Sequence, residues 1–254
     1  MSLLTLDRLT IRFGGLIAVN DVSFEVHPSD LFGLIGPNGA GKTTIFNMIT
    51  GVYRPTSGDI RFDGRSIVGL RTHRVTALGI GRTFQNIRLF SALSVLDNVV
   101  IGAFLRHRST LVEAISLLPR AVKETDLFVA RAMSLLQTLD LADVANVRSG
   151  DLAYGLQRRL EIARAMATQP SLLLLDEPAA GMNPLETEDL MQLIRRLRDE
   201  FKQTILLIEH DMRVVMGICE KIVVLDHGAE IAFGPPDKIQ KDPKVIEAYL
   251  GEPL

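Results

Sequence analysis

The stretch Gly-Pro-Asn-Gly-Ala-Gly-Lys-Thr at Gly36–Thr43 decides the fold of this chain, because it fits the pattern G-x-x-x-x-G-K-[ST]. It follows the apolar run Leu31–Ile35 directly and precedes a predicted helix from Lys42 to about Thr50. Glycines let the backbone wrap closely, so that successive N–H groups point at phosphate oxygens, and the helix dipole adds positive potential. The stretch therefore predicts a phosphate-binding loop between a buried strand and a helix.

The residues of this loop are candidate nucleotide ligands. The Lys42 ammonium would reach the β- and γ-phosphates of a nucleoside triphosphate, the Thr43 hydroxyl would ligate Mg²⁺, and Thr44 would add a donor. The alternative is a glycine-rich turn with a solvated lysine, and the full match to the pattern argues against it. The predicted nucleotide-binding set in the loop comprises Gly36, Pro37, Asn38, Gly39, Ala40, Gly41, Lys42, Thr43 and Thr44.

A second segment supplies two carboxylates. The apolar run Leu172–Leu175 predicts a buried strand, and Asp176 and Glu177 follow at its C-terminal end, where open α/β sheets bind ligands. Adjacent residues of a strand point to opposite sides, so the two carboxylates have different roles. We expect Asp176 to bind Mg²⁺ through water and Glu177 to polarise the attacking water. The alternative is that both carboxylates only cap the strand end.

The rest of the chain predicts an α/β fold around this loop. The apolar runs Thr204–Ile208 and Ile222–Leu225 are typical of a mostly parallel sheet that is buried on both faces, and residues 4–13 alternate as an antiparallel strand or hairpin does. Between about 86 and 165 strand patterns give way to helix-spaced apolar residues. We expect one domain over 1–254, with an α/β core at 1–85 and 166–232, a helical subdomain at 86–165 and a C-terminal helical tail at 233–254, with one helix over Pro235–Leu250.

Composition limits the classes of function. The 254 residues include 28 Lys and Arg against 30 Asp and Glu, and this lack of a basic excess argues against nucleic acid as a partner. The single Cys219 cannot form an internal disulfide, which favours a reducing cytosol. Apolar stretches such as 99–105 are far shorter than the ~18–20 residues that cross a bilayer. The sequence therefore predicts a soluble intracellular protein whose membrane role, if any, comes through a partner.

Three single residues are further candidates. Gln85 ends the strand-like segment Ile80–Phe84, where its amide would contact Mg²⁺ or the attacking water. His210 follows an apolar run and would approach the γ-phosphate, whereas Phe13 would stack on adenine. The alternative for Gln85 is an ordinary surface residue, that for His210 is a surface or core histidine, and that for Phe13 is a core aromatic residue.

A second anion site is predicted at the start of another helix. The segment Leu-Ala-Tyr-Gly-Leu opens a predicted helix that extends to Thr168, and a helix N-terminus beside a glycine attracts anions. Because the chain already has one phosphate loop, this site would serve a nucleotide held by a neighbouring subunit. The predicted residues are Leu152, Ala153, Tyr154, Gly155 and Leu156.

Together these motifs resemble the ATP-binding subunit of an ABC transporter over nearly the whole chain. Phe13 corresponds to the A-loop, Gly36–Thr43 to Walker A and Gln85 to the Q-loop. Leu152–Leu156 corresponds to the signature, Leu172–Asp176 with Glu177 to Walker B, and His210 to the H-loop. Further stretches resemble subunits of branched-chain amino acid importers, namely Arg12–Leu16, Arg82–Gln85, Arg158–Arg164, Asp176–Gly181 and Tyr249–Glu252.

The resemblance implies a P-loop NTPase (RecA-like) core and an ATP hydrolase coupled to transmembrane transport. It also implies ATP and Mg²⁺ bound between two ATP-binding subunits, identical or different, with two transmembrane permease subunits and, indirectly, a solute-binding protein. The protein would lie peripherally on the cytoplasmic face of the inner membrane. A permease subunit would contact the segment Gln85–Phe90, where Leu89 and Phe90 are candidate apolar contacts.

The signature lacks two polar groups of the usual family pattern. The family usually has serine at the position of Ala153 and glutamine at that of Leu156, and both polar groups are missing here. Loss of one hydrogen bond to a charged phosphate costs about 1.5–3 kcal/mol. We therefore expect a pair of subunits with one strong and one weak ATP site.

Other functions remain open at this point. The cassette could energise import of another small solute, such as urea or an organic acid, because it does not touch the solute. A non-transport ABC ATPase acting on DNA or ribosomes would have a coiled-coil arm, a second cassette or a basic face. A small-molecule kinase would leave Gln85 and His210 unexplained, and a scaffold would not need Lys42 and Glu177.

Overall fold

The computed structural model describes residues 1–103 and 119–250. These residues form two compact units. The first unit consists of Met1–Arg82 and the described residues from Ser171 onward, and the second consists of the described residues within Thr83–Pro170. Leu111, Ile115 and Leu118, which belong to the helix-spaced apolar pattern, and Gly251–Glu252 of the family-like C-terminal stretch lie outside the described residues. The strands are β1 (Leu4–Phe13), β2 (Leu16–Val26), β3 (Leu31–Ile35), β4 (Ser57–Phe62), β5 (Arg65–Ser66), β6 (Ile80–Arg82), β7 (Leu172–Asp176), β8 (Thr204–Ile208), β9 (Lys221–Asp226) and β10 (Ala229–Gly234). The helices are α1 (Lys42–Ile49), α2 (Thr72–Leu78), α3 (Val95–Ala103), α4 (Pro119–Thr138), α5 (Tyr154–Met166), α6 (Pro184–Phe201), α7 (Met212–Ile218), α8 (Pro236–Ile239) and α9 (Pro243–Leu250).

A six-stranded sheet forms the centre of the first unit. Its strand order is β10-β9-β3-β8-β7-β6, and all neighbours are parallel except the edge pair β10 and β9. Every residue of β3, β7 and β8 is buried, as expected for parallel strands that are covered on both faces. Parallel pairing places the C-terminal ends of β3, β7 and β8 at one edge of the sheet, and the candidate side chains follow directly from that edge.

A four-stranded antiparallel sheet with the order β2-β1-β4-β5 belongs to the same unit. In β1, buried positions such as Leu4, Leu6 and Ile11 alternate with exposed ones because successive side chains of a strand point to opposite faces. These residues join one hydrophobic cluster with Phe32 of β3 and Phe46 of α1. The antiparallel sheet and the helix that begins at the phosphate loop therefore share one hydrophobic core.

The second unit is helical in its described part. Its helices α3 and α5 pack so closely that a Cβ on Gly102 would lie 2.6 Å from the carbonyl oxygen of Arg164. Asn98 of α3 is fully buried and donates to the Phe90 carbonyl at 3.2 Å and to the Ser149 hydroxyl at 3.2 Å. A buried amide is stable only with such partners, so Asn98 fixes the segment that precedes α3.

Three element boundaries differ from the sequence-based expectations. The C-terminal segment forms two helices because Pro243 has no N–H and therefore begins a new helix instead of continuing the first. The strand predicted over Ile80–Phe84 ends at Arg82, and the helix predicted from Leu152 begins at Tyr154. Among residues 1–103 and 119–250, no helix combines the length and the apolar character that a membrane span requires.

Candidate nucleotide-binding and catalytic site

The phosphate loop has a backbone that only glycine fits at two positions. Gly36 has φ +146°, and a Cβ there would lie 2.0 Å from the Leu225 carbonyl oxygen. Gly41 has φ +100°, and a Cβ there would lie 2.6 Å from the Ala18 carbonyl oxygen. Gly41 is also the N-cap of α1 and offers no side-chain acceptor to the first-turn amides. Those amides are thus available to an anionic ligand.

The Lys42 side chain lies within this loop. Its ammonium donates to the carbonyl oxygens of Gly36 at 2.6 Å and Pro37 at 2.8 Å, and the residue is only 6 % exposed. Burial lowers the pKa of Lys42, whereas the nearby charges of Glu177 and Asp176 oppose that effect. The ammonium therefore lies close to both carboxylates that the sequence predicts for catalysis.

The two carboxylates differ in their surroundings. Asp176 ends β7 and is buried, and its Oδ2 accepts a bond of 2.8 Å from Arg82. Glu177 follows with φ +47° and donates its N–H to the Ile208 carbonyl at 2.9 Å. A φ of this kind is uncommon for residues other than glycine, and it costs about 1–3 kcal/mol. The backbone thus directs the two side chains differently, as expected for different roles.

His210 lies beside Glu177. Its Nδ1 is 3.7 Å from Glu177 Oε2, and its side chain is 57 % exposed. Parallel pairing of β7 and β8 produces this proximity because both residues follow the same edge of the sheet. Lys42, Asp176, Glu177 and His210 are therefore brought together within one unit.

Glu209 is a site residue that the sequence analysis missed. It is fully buried, and its carboxylate accepts N–H bonds from Ala179 at 2.8 Å and His210 at 3.1 Å. It therefore connects the loop after Glu177 to the segment that carries His210. An acidic residue directly after a predicted buried strand, as at Asp176, was the available signal.

Glu209→Gln is expected to change the pH dependence of stability. Burial raises the pKa of Glu209 above 4.5, so the folded state holds its proton to higher pH than the unfolded state does. Protonation of Glu209 therefore contributes to the free energy of unfolding. This contribution is present in full below about pH 4.5 and is lost as pH rises through the raised pKa of Glu209. Urea unfolding at several pH values should thus show the wild type losing stability relative to the variant as pH rises. A difference that is constant from pH 4 to pH 8 would contradict this assignment.

Phe13 is exposed at the end of β1, with its ring edge-on to Tyr53 at a centroid distance of 5.2 Å. Tyr53 is also exposed and was not predicted as part of the site. The exposure of both rings leaves an apolar surface on which a planar base can stack.

The C-terminal helix α9 lies next to the phosphate loop. A cleft of about 620 Å³ is lined by loop residues 37–40 on one side and by Lys244, Glu247 and Ala248 on the other. The Tyr249 hydroxyl is buried in this region, and burial raises the pKa of Tyr249 to about 12. The nearby backbone of Gly36 lowers this pKa by a smaller amount. The tail therefore packs against the loop itself.

Gln85 belongs to the helical unit, where its side chain is exposed and its backbone is held by α5. Arg158 donates to the carbonyl oxygens of Phe84 at 2.9 Å and Gln85 at 2.5 Å. Glu161 accepts from the Phe84 N–H at 3.2 Å, and it forms an ion pair of 3.3 Å with Arg158. Both charged side chains are 4 % exposed. Both residues lie in the family-like stretch Arg158–Arg164, and no local signal in the sequence indicates this role.

The predicted signature lies at the start of α5. Leu152 and Ala153 precede the helix in extended conformation, and Ala153 is an N-cap with no side chain that can accept a hydrogen bond. Gly155 is buried, whereas Tyr154 is partly exposed and its hydroxyl accepts from Arg158 at 3.1 Å. The first-turn amides of α5 therefore have no capping side chain at the N-cap position.

The donor set of the first unit fits a magnesium nucleotide. The Thr43 hydroxyl and the Asp176 carboxylate are the hard oxygen ligands that Mg²⁺ prefers, and the glycine loop supplies amides for phosphate. These residues fold as a strand, a glycine-rich loop and a helix, with acidic residues at the end of a neighbouring strand. This arrangement defines the class of P-loop nucleoside triphosphatases and kinases.

Comparisons with known proteins agree with this class. A family model described as ABC transporter matches residues 19–180, and one described as branched-chain amino acid ATP-binding cassette transporter matches residues 230–253. The chain is 47 % identical over 250 residues, 98 % of each chain, to the high-affinity branched-chain amino acid transport ATP-binding protein BraF of Pseudomonas aeruginosa. The chain belongs to the ABC transporter family of ATP-binding proteins.

Solved structures are similar over the same length. A nucleotide-free ATP-binding cassette from an ABC transporter has a TM-score of 0.86 and 31 % identity, and the match covers 99 % of this chain and 100 % of that one. A dimeric cassette in a post-hydrolysis state bound to ADP and Pi has a TM-score of 0.77 and 26 % identity, with 92 % and 98 % covered. The predicted α/β P-loop fold and the family resemblance are confirmed. ATP-binding proteins of this family bind and hydrolyse ATP, dimerise and work with transmembrane permease subunits.

Proposed function

We propose that this chain binds Mg·ATP in the loop Gly36–Thr44 and hydrolyses it to power the uptake of branched-chain or related amino acids. The observation that supports this most strongly is the convergence of Lys42, Asp176 and Glu177 at one edge of the parallel sheet. The name of its relative BraF refers to high-affinity branched-chain amino acid transport, and that is why we choose this solute class.

Binding would rest on the amides of the phosphate loop and on Lys42. The Lys42 ammonium would exchange the loop carbonyls of Gly36 and Pro37 for the β- and γ-phosphates. Phe13 would stack on adenine, while Thr43, Asp176 and Gln85 would hold Mg²⁺. When bound, Mg²⁺ supplies positive charge that neutralises the phosphate oxygens.

Hydrolysis would depend on Glu177 and His210. The Glu177 carboxylate would orient a water molecule and accept its proton as the water oxygen bonds to the γ-phosphorus. The bond from that phosphorus to the bridging oxygen breaks, and ADP and inorganic phosphate are formed. His210, 3.7 Å from Glu177, would contact the γ-phosphate and help to hold the carboxylate in place.

The partners would be those of a membrane importer. A second ATP-binding subunit, identical or related, would place its signature on the nucleotide at Lys42, while Leu152–Leu156 of this chain would face the partner's nucleotide. Two permease subunits would anchor the pair on the cytoplasmic face of the inner membrane, with a solute-binding protein acting through them. The exposed ring of Phe90 in the helical unit is a candidate apolar contact for a permease.

Reconstitution tests this proposal. The chain would be co-purified with its partner ATP-binding subunit and permease subunits, placed in proteoliposomes with ATP inside and the solute-binding protein outside, and tested for uptake of labelled leucine, urea and an organic acid. We expect ATP-dependent leucine uptake. Uptake of urea or the organic acid without leucine uptake would overturn the solute assignment, and ATP-independent leucine uptake would overturn the proposed role of the chain.

The departures in the signature give a further prediction. Ala153→Ser combined with Leu156→Gln would restore two polar groups at the uncapped start of α5. If the signature weakens one of two ATP sites, this double variant should raise the hydrolysis rate of the assembled complex about tenfold, the value of one hydrogen bond to a charged group. An unchanged rate in the assembled complex would contradict the weak-site hypothesis.

A further inference from the structure

Arg82 makes a buried ion pair with the carboxylate that the proposed function assigns to Mg²⁺. It is the last residue of β6 and lies opposite Leu174 of β7. Its Nη2 donates to Asp176 Oδ2 at 2.8 Å, and the two side chains are 7 % and 4 % exposed. A charge pair so well shielded from water holds both groups in one geometry far more firmly than an exposed pair does.

The same guanidinium also holds the phosphate-loop helix. Its Nη1 donates to Asn47 Oδ1 at 2.8 Å and to Thr50 Oγ1 at 3.2 Å. Its Cζ lies 5.5 Å from the centroid of the Phe46 ring. Asn47 lies one helical turn after Thr43 on the same face of α1, and Thr50 lies about one turn further. Arg82 therefore bonds to the helix face that carries the Thr43 hydroxyl.

We propose that Arg82 is a positioning residue for the Mg²⁺ of this site. A single rigid guanidinium sets the spacing between α1, which carries Thr43, and β7, which carries Asp176. The bond to Oδ2 fixes the rotation of the carboxylate and so the direction of its other oxygen. This inference rests on the proposed Mg²⁺ role of Thr43 and Asp176.

Lysine cannot replace arginine in this position. It would keep the positive charge, but its single ammonium lacks the planar set of donors that reaches Asp176, Asn47 and Thr50 together. Arg82→Lys thus separates charge from geometry. A role in positioning predicts a loss in this variant, whereas a purely electrostatic role predicts none.

The test measures equilibrium binding of a fluorescent ATP analogue to the purified full chain, in EDTA and over a Mg²⁺ titration. In the wild type, Mg²⁺ should tighten binding. In Arg82→Lys, the half-saturating Mg²⁺ concentration should rise by about tenfold or more, as when a residue that orients a metal ligand is replaced. Affinity in EDTA should stay within about twofold, because the loop amides and Lys42 are unchanged.

A matched control and a second variant make the result decisive. Arg61→Lys changes an exposed arginine that pairs with Asp59 at 2.9 Å in the same unit, and both affinities should match the wild type. Asn47→Ala with Thr50→Val removes the helix end of the contact and should shift the Mg²⁺ titration in the same direction, even where Arg82→Lys fails to fold.

The outcomes separate this inference from the proposed function. An unchanged Mg²⁺ titration in Arg82→Lys, or equal losses in EDTA and in Mg²⁺, would overturn the inference. If Arg82→Lys fails to fold, an unchanged titration in the double variant would overturn it. If Mg²⁺ does not tighten nucleotide binding even in the wild type, the proposed Mg²⁺ role of Thr43 and Asp176 itself fails.

Discussion

Glu177→Gln should lower the rate of ATP hydrolysis by at least about 10²-fold, because a positioned general base contributes about 10²–10⁴-fold. The amide keeps the shape of the side chain but cannot accept a proton from water. Affinity for Mg·ATP should remain within about twofold, since the phosphate loop and Lys42 are untouched. Phosphate release and nucleotide binding, measured on the same preparation, check both statements.

Glu188→Gln is a matched control for this variant. Glu188 is exposed on α6, so its replacement should leave both hydrolysis and binding at wild-type values. Hydrolysis by Glu177→Gln at the wild-type rate would exclude Glu177 as the base. Equal losses of binding and hydrolysis would show that the change disturbs the loop and not the chemical step.

Arg158→Ala should lower the free energy of unfolding by about 3–5 kcal/mol, the usual cost of removing one partner from a buried ion pair. The change removes the ion-pair partner of the buried Glu161 carboxylate, and it removes the bonds that Arg158 donates to the Phe84 and Gln85 carbonyls. Burial already raises the pKa of Glu161, so protonation should reduce the loss at low pH. Urea unfolding at pH 5 and pH 8 measures both effects.

The neighbouring arginine provides the comparison. Arg159 pairs with Asp140 at 3.3 Å, and the Asp140 side chain is 56 % exposed, so Arg159→Ala should cost no more than about 1 kcal/mol. Replacing both charges, as Arg158→Met with Glu161→Leu, should recover part of the stability because the buried Glu161 carboxylate is removed together with its partner. Equal costs for Arg158→Ala and Arg159→Ala would contradict the importance of the buried pair.

Local signals in the sequence predicted the elements around the phosphate loop closely. Leu31–Ile35 is a strand and Lys42 begins a helix, as predicted, because an uninterrupted apolar run and a glycine-rich turn each act within a few residues. The same holds for β8 at Thr204–Ile208. The split of the C-terminal helix at Pro243 was also available from sequence, since a proline rarely continues a helix.

Contacts between distant segments were not predictable in this way. The bond from Arg82 to Asp176 spans 94 positions, and the bond from Arg158 to Phe84 spans 74. No periodicity or local motif indicates which buried arginine meets which carboxylate, because the pairing is set by the sheet order and by helix packing. The roles of Gln85, His210 and Leu152–Leu156 follow from motifs alone and stay predictions.

The proposed activity depends on the backbone amides around Lys42 and on the Lys42 ammonium, which together hold the triphosphate. The most direct test is equilibrium binding of Mg·ATP to the purified chain beside its Lys42→Ala variant, with circular dichroism to confirm that both are folded. Loss of a charge-assisted contact to each of two phosphates should weaken binding by about 10²-fold or more. We predict clear binding by the wild type and its loss in Lys42→Ala, whereas a wild type that retains no Mg·ATP, or a variant that binds as tightly, would contradict the account.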